Sequence, residues 1–237
     1  MTFEAVLFDL DDTLHDDSAT YRNAARDVAL EVAAEYGVDA GQLAGAYVAA
    51  ADRFWMTLTE DRIATSMAQL RNDMWLEALR SVGLDNPGLA GLCAGAYNRA
   101  RREHLRIWPE VPALLERLRG AGCKLGLITN GVAETHREKI ALLDLEAAFD
   151  VILIADEVGM VKPDPRMFLH ACRQLGAEPA RCVMVGDRYE RDVLGALGAG
   201  IRAVWLNVRR EALPPGSEPP DCTIFTIAEL EGALGAL

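Results

Sequence analysis

The chain has 237 residues, 51% of them hydrophobic and 25% charged, with 36 Asp and Glu against 24 Lys and Arg and a net charge of -12. This composition excludes the disordered class, and the length fits one large α/β domain or a domain carrying an insertion. The acidic excess opposes binding to a nucleic acid polymer or an anionic membrane surface. The N-terminus lacks the basic and apolar regions of a signal peptide, and no apolar run reaches the roughly 18 residues that a membrane span needs, so no membrane association and a cytoplasmic location are expected. Five cysteines, Cys93, Cys123, Cys172, Cys182 and Cys222, form no CxxC pair. Reduced thiols are the expectation.

In chain order, Ala5 to Leu10 (AVLFDL) reads as a short strand, apolar almost throughout, as the buried centre of a parallel sheet requires. Residues 16–106 read as successive helices, with YRNAARDVALEVAAEYG, QLAGAYVAAADRFWMTLTEDR and MAQLRNDMWLEALRSVG among them, and no convincing strand. Beyond them, apolar runs and helical patterns alternate. The strands are KLGLITN from Lys124, FDVILIAD from Phe149, RCVMVGD from Arg181 and IRAVWLN from Ile201. The helices are VPALLERLRGAG, ETHREKIALLDL, DPRMFLHACRQLGA and RDVLGALGAG. The proline-rich ALPPGSEPPDC marks a surface loop before a last strand, CTIFTI, and a C-terminal helix. Strand and helix at this cadence predict βαβ units and a Rossmann-like, doubly wound parallel sheet built from residues 1–15 and 107–237, with 16–106 inserted as a helical domain.

In an open parallel sheet the ligand crevice lies beyond the carboxyl ends of the strands. Four predicted strand ends carry unusual polar groups: Asp9 and Asp11 after the first, Thr129 and Asn130 after LGLITN, Lys162 after the third, and Asp187 after VMVGD. Carboxylates crowded at one edge are tolerated where a divalent cation neutralises them, and Mg2+ selects oxygen ligands of this kind.

These residues resemble the haloacid dehalogenase-like hydrolase superfamily over nearly the whole chain. Its DxDx[TV] motif is met by Asp9-Leu10-Asp11-Asp12-Thr13, its Thr or Ser after a strand by Thr129 in LITNG, its Lys by Lys162-Pro163, and its GDxxxxD by Gly186-Asp187 through Asp192. The helical insertion resembles the family's smaller cap type. The resemblance implies that Asp9 is the nucleophile attacking phosphorus and that Asp11 protonates the leaving group and then activates water. It also implies that Thr129, the Asn130 amide and Lys162 hold the phosphoryl oxygens. Mg2+ would be ligated by the Asp9 side chain, the Asp11 carbonyl and Asp187, with Asp192 behind them orienting metal-bound water or Lys162.

Dehalogenase members lack an acid at the second motif position, because halide leaves without a proton, so Asp11 favours phosphate-ester chemistry. The expectation is a Mg2+-dependent phosphatase acting on a small phosphate ester, a nucleoside monophosphate or a sugar phosphate, through an aspartyl phosphate. A sugar phosphomutase of the same family keeps both aspartates, and a non-catalytic phospho-ligand-binding protein could keep the fold. The sequence locates no patch that fixes an oligomeric state.

Neighbouring residues have plainer readings. Asp12 caps or bonds the following loop, and Asp192 serves also as an N-cap for VLGALGA. His15 is structural or touches substrate. The four histidines, His15, His104, His136 and His170, have no zinc-site spacing. GALGAG ends a helix, and is not a dinucleotide loop, because it precedes a strand. Within the insertion, Arg53, Trp55, Arg62 and Trp75 could recognise a leaving group, although core tryptophans and solvated arginines are the simpler reading.

Overall fold

A computed structural model describes residues 3–56 and 66–237. Contacts divide the chain into two compact units, Met1–Asp16 with Ile107–Leu237, and Asp17–Arg106.

The first unit is a six-stranded sheet with β1 Ala5–Phe8, β2 Lys124–Thr129, β3 Val151–Ile154, β4 Cys182–Gly186, β5 Arg202–Leu206 and β6 Cys222–Ile224. Its spatial order is β3-β2-β1-β4-β5-β6 and every pair is parallel. This is the Rossmann-like arrangement expected from the sequence, and the order reverses beside β1, where such sheets open a crevice. β1 is fully buried because it has a paired strand on each side and helices packed over the sheet. It ends at Phe8 and not at Leu10: the Asp9 backbone N–H makes a last bond, to the Val185 carbonyl at 2.9 Å, and the chain then turns, with Asp12 at φ 60°. The short polar side chain of an aspartate tolerates that left-handed conformation better than most residues.

The second unit packs α1 Asp17–Tyr36, α2 Ala40–Met56, α3 Met67–Ser81 and α4 Pro87–His104 as a ring of neighbours, each in contact with the next and α4 with α1. The sequence pattern extends α2 to Arg62, which lies outside the described residues. Pro87 opens α4 at a position where its missing N–H costs nothing, and the Asn86 side chain accepts from Leu89 N at 3.1 Å. Small alanines let the helices approach closely around an aromatic centre. Trp75, wholly buried, stacks on Tyr47 at 4.3 Å between centroids, and Tyr97 lies 4.8 Å from Tyr47. Trp75 is thus core, as its plainer reading held, whereas Arg53 is exposed and paired with Glu77.

Six further helices complete the first unit: α5 Val111–Gly120, α6 Ala133–Leu142, the single turn α7 Ala155–Val158, α8 Pro165–Leu175, α9 Leu194–Gly198, and α10 Leu230–Ala236 at the C-terminus. A wide turn at Tyr189–Val193 precedes α9 and replaces the regular helix start expected there. All five cysteines are free thiols. No helix among the described residues is long and apolar enough to cross a membrane.

Replacing Trp75 by Ala should destabilise the helical unit by about 3–5 kcal/mol, the usual cost of deleting a buried aromatic. Trp75→Phe should cost far less, because the buried indole N–H makes no hydrogen bond that would be lost. Denaturant unfolding followed by far-UV circular dichroism measures both.

Candidate active site

The parallel register brings the predicted residues to one edge. Phe8 pairs with Leu127 and with Val185, so continuing in step places Thr129 and Asp187 one residue beyond the level of Asp9. Thr129 is buried at the end of β2 and Asp187 follows the end of β4.

Lys162 reaches into this edge from the loop after α7. Its Nζ, almost wholly enclosed, donates to Asp9 Oδ1 at 2.6 Å and to Asp192 Oδ1 at 2.6 Å. A buried ammonium is tolerable only when so paired. Its backbone is held too: Asn130 Oδ1 accepts from Lys162 N at 2.8 Å and Asn130 Nδ2 donates to the Lys162 carbonyl at 2.9 Å. The Asn130 side chain therefore fastens the Lys162 loop to the end of β2, a task that sequence reading did not assign to it. Thr13 Oγ1 approaches the other Asp9 oxygen at 3.4 Å.

Asp192 is not an N-cap of α9. Its Oδ2 accepts from Arg188 N at 3.0 Å, inside the wide turn, while Oδ1 faces Lys162. The motif glycine beside it has a steric reason, since a Cβ on Gly186 would fall 2.3 Å from the Asp192 carboxyl carbon. Gly131 is constrained likewise, its Cβ position lying 1.8 Å from the His136 ring.

Carboxylate oxygens of Asp9, Asp187 and Asp192 lie within 4.8 Å of one another. Burial, with the Asp192 and Asp11 charges added, pushes the Asp9 carboxyl up to about 7 against the pull of Lys162. Burial, then Asp9 and Asp192, raise Asp187 well above the usual carboxylate range despite Arg188. Burial opposes charge on Lys162, but Asp192 and Asp9 more than offset it and hold the amine protonated. Asp187 Oδ1 is buried with no hydrogen-bond partner, while Oδ2 accepts from Arg209 and lies 3.3 Å from Arg188 Nε. Three clustered carboxylates, two of them reluctant to ionise and one with an orphaned oxygen, form a donor set suited to a hard divalent cation.

Asp11 faces a different environment. Its Oδ1 accepts from Lys139 Nζ at 2.6 Å and contacts His15 Nε2 at 2.9 Å, and its Oδ2 lies 3.2 Å from His136 Nε2. Burial alone would raise its pKa, but Lys139, His136 and the bond from His15 prevail and keep it well below the ordinary range. The two carboxylates at the head of β1 are therefore electrostatically opposite. His15 touches Asp11, and is itself fixed where a bridge joins it to Ile107. Asp12 Oδ2 sits 3.4 Å from Arg209 Nη1 and 3.9 Å from Arg188 Nη2, so it partners these arginines as well as shaping the turn.

Lys139, His136, Arg188 and Arg209 were not singled out as site residues by sequence reading. Lys139 and His136 stand on the first turns of α6, the helix that follows the Thr129–Gly131 strand end, and that placement is the signal that could have found them. Arg188 directly follows Asp187. Arg209 follows β5 in a loop shaped by Asn207, which bonds Glu211 N at 2.8 Å and the Glu211 carbonyl at 2.9 Å.

The family model for haloacid dehalogenase-like hydrolases matches residues 3–200. The chain belongs to this family. Among curated relatives, N-acylneuraminate-9-phosphatase of Rattus norvegicus is 33% identical over 98% of this chain and 94% of its own. Pyrimidine 5'-nucleotidase YjjG of Escherichia coli is 30% identical over 99% of each. Glyceraldehyde 3-phosphate phosphatase of Methanopyrus kandleri is 31% identical over 87% of this chain and 84% of its own. Among solved structures, the magnesium-bound HAD-hydrolase YfnB of Bacillus subtilis matches with TM-score 0.78 and 20% identity over 99% of both chains, a likeness of fold. A 2-haloacid dehalogenase of Pseudomonas syringae pv. Tomato matches with TM-score 0.65 and 28% identity over 99% of both. Membership makes the chain a hydrolase of this family, and its fold neighbours span more than one chemistry.

Because the raised Asp9 carboxyl is stabilised by protonation in the folded state, its contribution to stability is full below the unfolded value near 3.8 and is lost as pH rises through about 7. Metal-free protein should melt at a higher temperature at pH 6 than at pH 8, and Asp9→Asn should flatten that difference in thermal denaturation scans.

Proposed function

We propose that the protein is a Mg2+-dependent phosphatase that hydrolyses a small phosphorylated metabolite, a nucleoside monophosphate or a sugar phosphate, through an aspartyl phosphate on Asp9. The observation that carries this reading is the opposed pair on the head of β1: Asp9 inside, bound to Lys162, and Asp11 at the mouth, with a side chain 29% exposed and a second set of donors around it. A phosphate ester whose leaving alkoxide needs a proton requires two carboxylates with separate tasks. A dehalogenation would leave Asp11 without one.

In this mechanism the Asp9 carboxylate attacks phosphorus, the P–O bond to the alcohol breaks, and Asp11, ionised in the free site, takes up a proton as the phosphate dianion arrives beside it and gives that proton to the departing oxygen. Asp11 then takes a proton from water, which attacks the aspartyl phosphate and frees Asp9 with inorganic phosphate. Lys162 balances the charge gathering on the phosphoryl oxygens, and Thr129 with the Asn130 amide would complete their binding. Asp192 keeps Lys162 aimed. The orphaned Asp187 Oδ1 and the crowding of Asp9 and Asp187 support Mg2+ at these two side chains, with the Asp11 carbonyl as a further ligand. A bound dication supplies the countercharge that lets Asp9 stay ionised and screens the incoming phosphate dianion from it.

The relatives' names describe monoesters of a sugar acid, a triose and pyrimidine nucleosides at 30–33% identity. Leaving groups so unlike one another at similar identity support a shared phosphoryl chemistry and a separately chosen alcohol. We assign that choice to the Asp17–Arg106 unit, the cap of this proposal.

Phosphate release should be measured across nucleoside monophosphates and sugar phosphates, with Mg2+ and with excess chelator. Release from at least one ester should require metal and fall by more than about 1,000-fold in Asp9→Asn, since loss of a nucleophile removes most of the rate enhancement. Metal-independent release, or release retained in Asp9→Asn, would sink the proposal.

A further inference from the structure

α6 begins four residues after the end of β2 and points two of its side chains back at the mouth of the site. His136 and Lys139, at i and i+3, share one helix face, and both are buried, at 1% and 3% exposure. A lysine on a helix rich in charged residues ordinarily extends its ammonium into water. Here Nζ lies 2.6 Å from Asp11 Oδ1, while His136 Nε2 lies 3.2 Å from Asp11 Oδ2. The other imidazole nitrogen, Nδ1, is 3.2 Å from the Val132 carbonyl, which fixes the plane of the ring. His15 Nε2 adds a third contact from the loop after β1, at 2.9 Å. The Gly131 backbone makes room for the imidazole, since a Cβ there would overlap it.

An aspartate with two side-chain torsions and a partly exposed carboxyl does not hold one orientation unaided. A group that hands a proton to a departing oxygen must be placed within a few tenths of an ångström, and misplacement costs rate in the transition state more than it costs binding. Both oxygens of Asp11 are gripped, one by Lys139 and His15 and the other by His136, so that rotation about the Cβ–Cγ bond is resisted from two sides.

We propose that His136 and Lys139 are positioning residues for the reaction, fixing the Asp11 carboxyl in the orientation from which it serves the leaving group. This rests on the phosphatase reading, in which Asp11 is the acid. Neither residue needs to touch the substrate. Their loss therefore matters in proportion to how much proton the leaving oxygen needs.

The test compares two probes under saturating Mg2+: the alkyl monophosphate of the panel with the highest kcat, and p-nitrophenyl phosphate, whose phenolate departs without a proton. Asp11→Asn should lose far more kcat/KM on the alkyl than on the aryl ester, since kcat/KM excludes the later hydrolysis of the aspartyl phosphate that both esters share. Lys139→Met and His136→Leu should each show the same selectivity on a smaller scale, at least about tenfold in kcat/KM on the alkyl ester and within about threefold on the aryl, as expected for weakened acid catalysis in the phosphoryl-transfer step that kcat/KM reports. Lys139→Arg should recover most of the alkyl activity. Added to Asp11→Asn, Lys139→Met should cost nothing further, within about twofold, because a residue acting through Asp11 has nothing left to act on.

Equal losses on both esters, or a full additional loss in the Asp11→Asn background, would overturn the assignment in favour of a structural ion pair while leaving the acid role intact. An Asp11→Asn enzyme that does not distinguish the esters would remove the acid role and this inference together. Circular dichroism and thermal midpoints screen each variant for folding. Should Lys139→Met not fold, His136→Leu decides by the same comparison of esters.

Discussion

Lys162 brings a full positive charge to a place that is only 2% exposed, and it is tolerated there because Asp9 and Asp192 each accept a hydrogen bond from it at 2.6 Å. The constraint runs both ways. Without the ammonium, Asp9 and Asp192 would crowd against Asp187 with only the two arginines on Asp187, Arg188 and Arg209, to offset the three carboxyls, and burial already drives Asp9 and Asp187 toward the neutral form. A hydrophobic replacement would cost less folding free energy than such a cluster. Such a cluster is a cost to folding that the proposed chemistry accounts for and that the stability of the sheet beneath it carries.

That sheet pins the cluster with backbone. β1 is sandwiched between β2 and β4, so the position of Asp9 is set by ladders on both sides and by its own bond to Val185. Trp205 on β5 donates to the Asp187 carbonyl at 2.9 Å and packs against Tyr189 at 5.4 Å, which ties the β4 end to its neighbour. Asn130 fastens the Lys162 loop to β2 through paired amide bonds. Gly186 and Gly131 leave volume that Asp192 and His136 occupy. The motif residues are thus carried by the ends of β1, β2 and β4 and, for Lys162, by a loop fastened to β2, and their separations in sequence are the lengths of the helices and loops between those strands.

This explains what could be read from the sequence. Asp9, Asp11, Lys162 and Asp187 stand where an apolar run stops or in the loop beyond one, so an alternation of hydrophobicity finds the strands and the rule for open sheets finds the crevice. β1 was overdrawn by two residues because Leu10 is apolar and buried although the chain has left the ladder. Lys139 and His136 could not be found in this way. ETHREKIALL shows polar residues at most positions of α6, and a buried lysine among them reads as part of a solvated face until its partner is located, 128 positions earlier in the chain. Arg209 is hidden for the same reason, since its loop follows β5 and its partners Asp12 and Asp187 come from β1 and β4. Long-range ion pairs leave no local period.

The charges gathered at this edge have a consequence for substrate that the overall balance of -12 conceals. Taken as ionised, Asp9, Asp11, Asp12, Asp187 and Asp192 are opposed by Lys139, Lys162, Arg188 and Arg209, which leaves a single negative charge before the two histidines are considered. With every carboxyl ionised, the phosphate dianion of the proposed reaction would meet no net attraction at such a site. A divalent cation reverses its sign, and in a partly buried cleft that reversal acts at close range with little screening. Arg209 and Arg188 now occupy one face of Asp187, while its other oxygen has no partner, so a cation can be added there without first displacing a guanidinium. Metal and phosphate affinity are then linked: each should bind more tightly in the presence of the other, by the same factor in both directions. In the proposed reaction, a site nearly balanced without a dication would hold substrate only once the dication is in place.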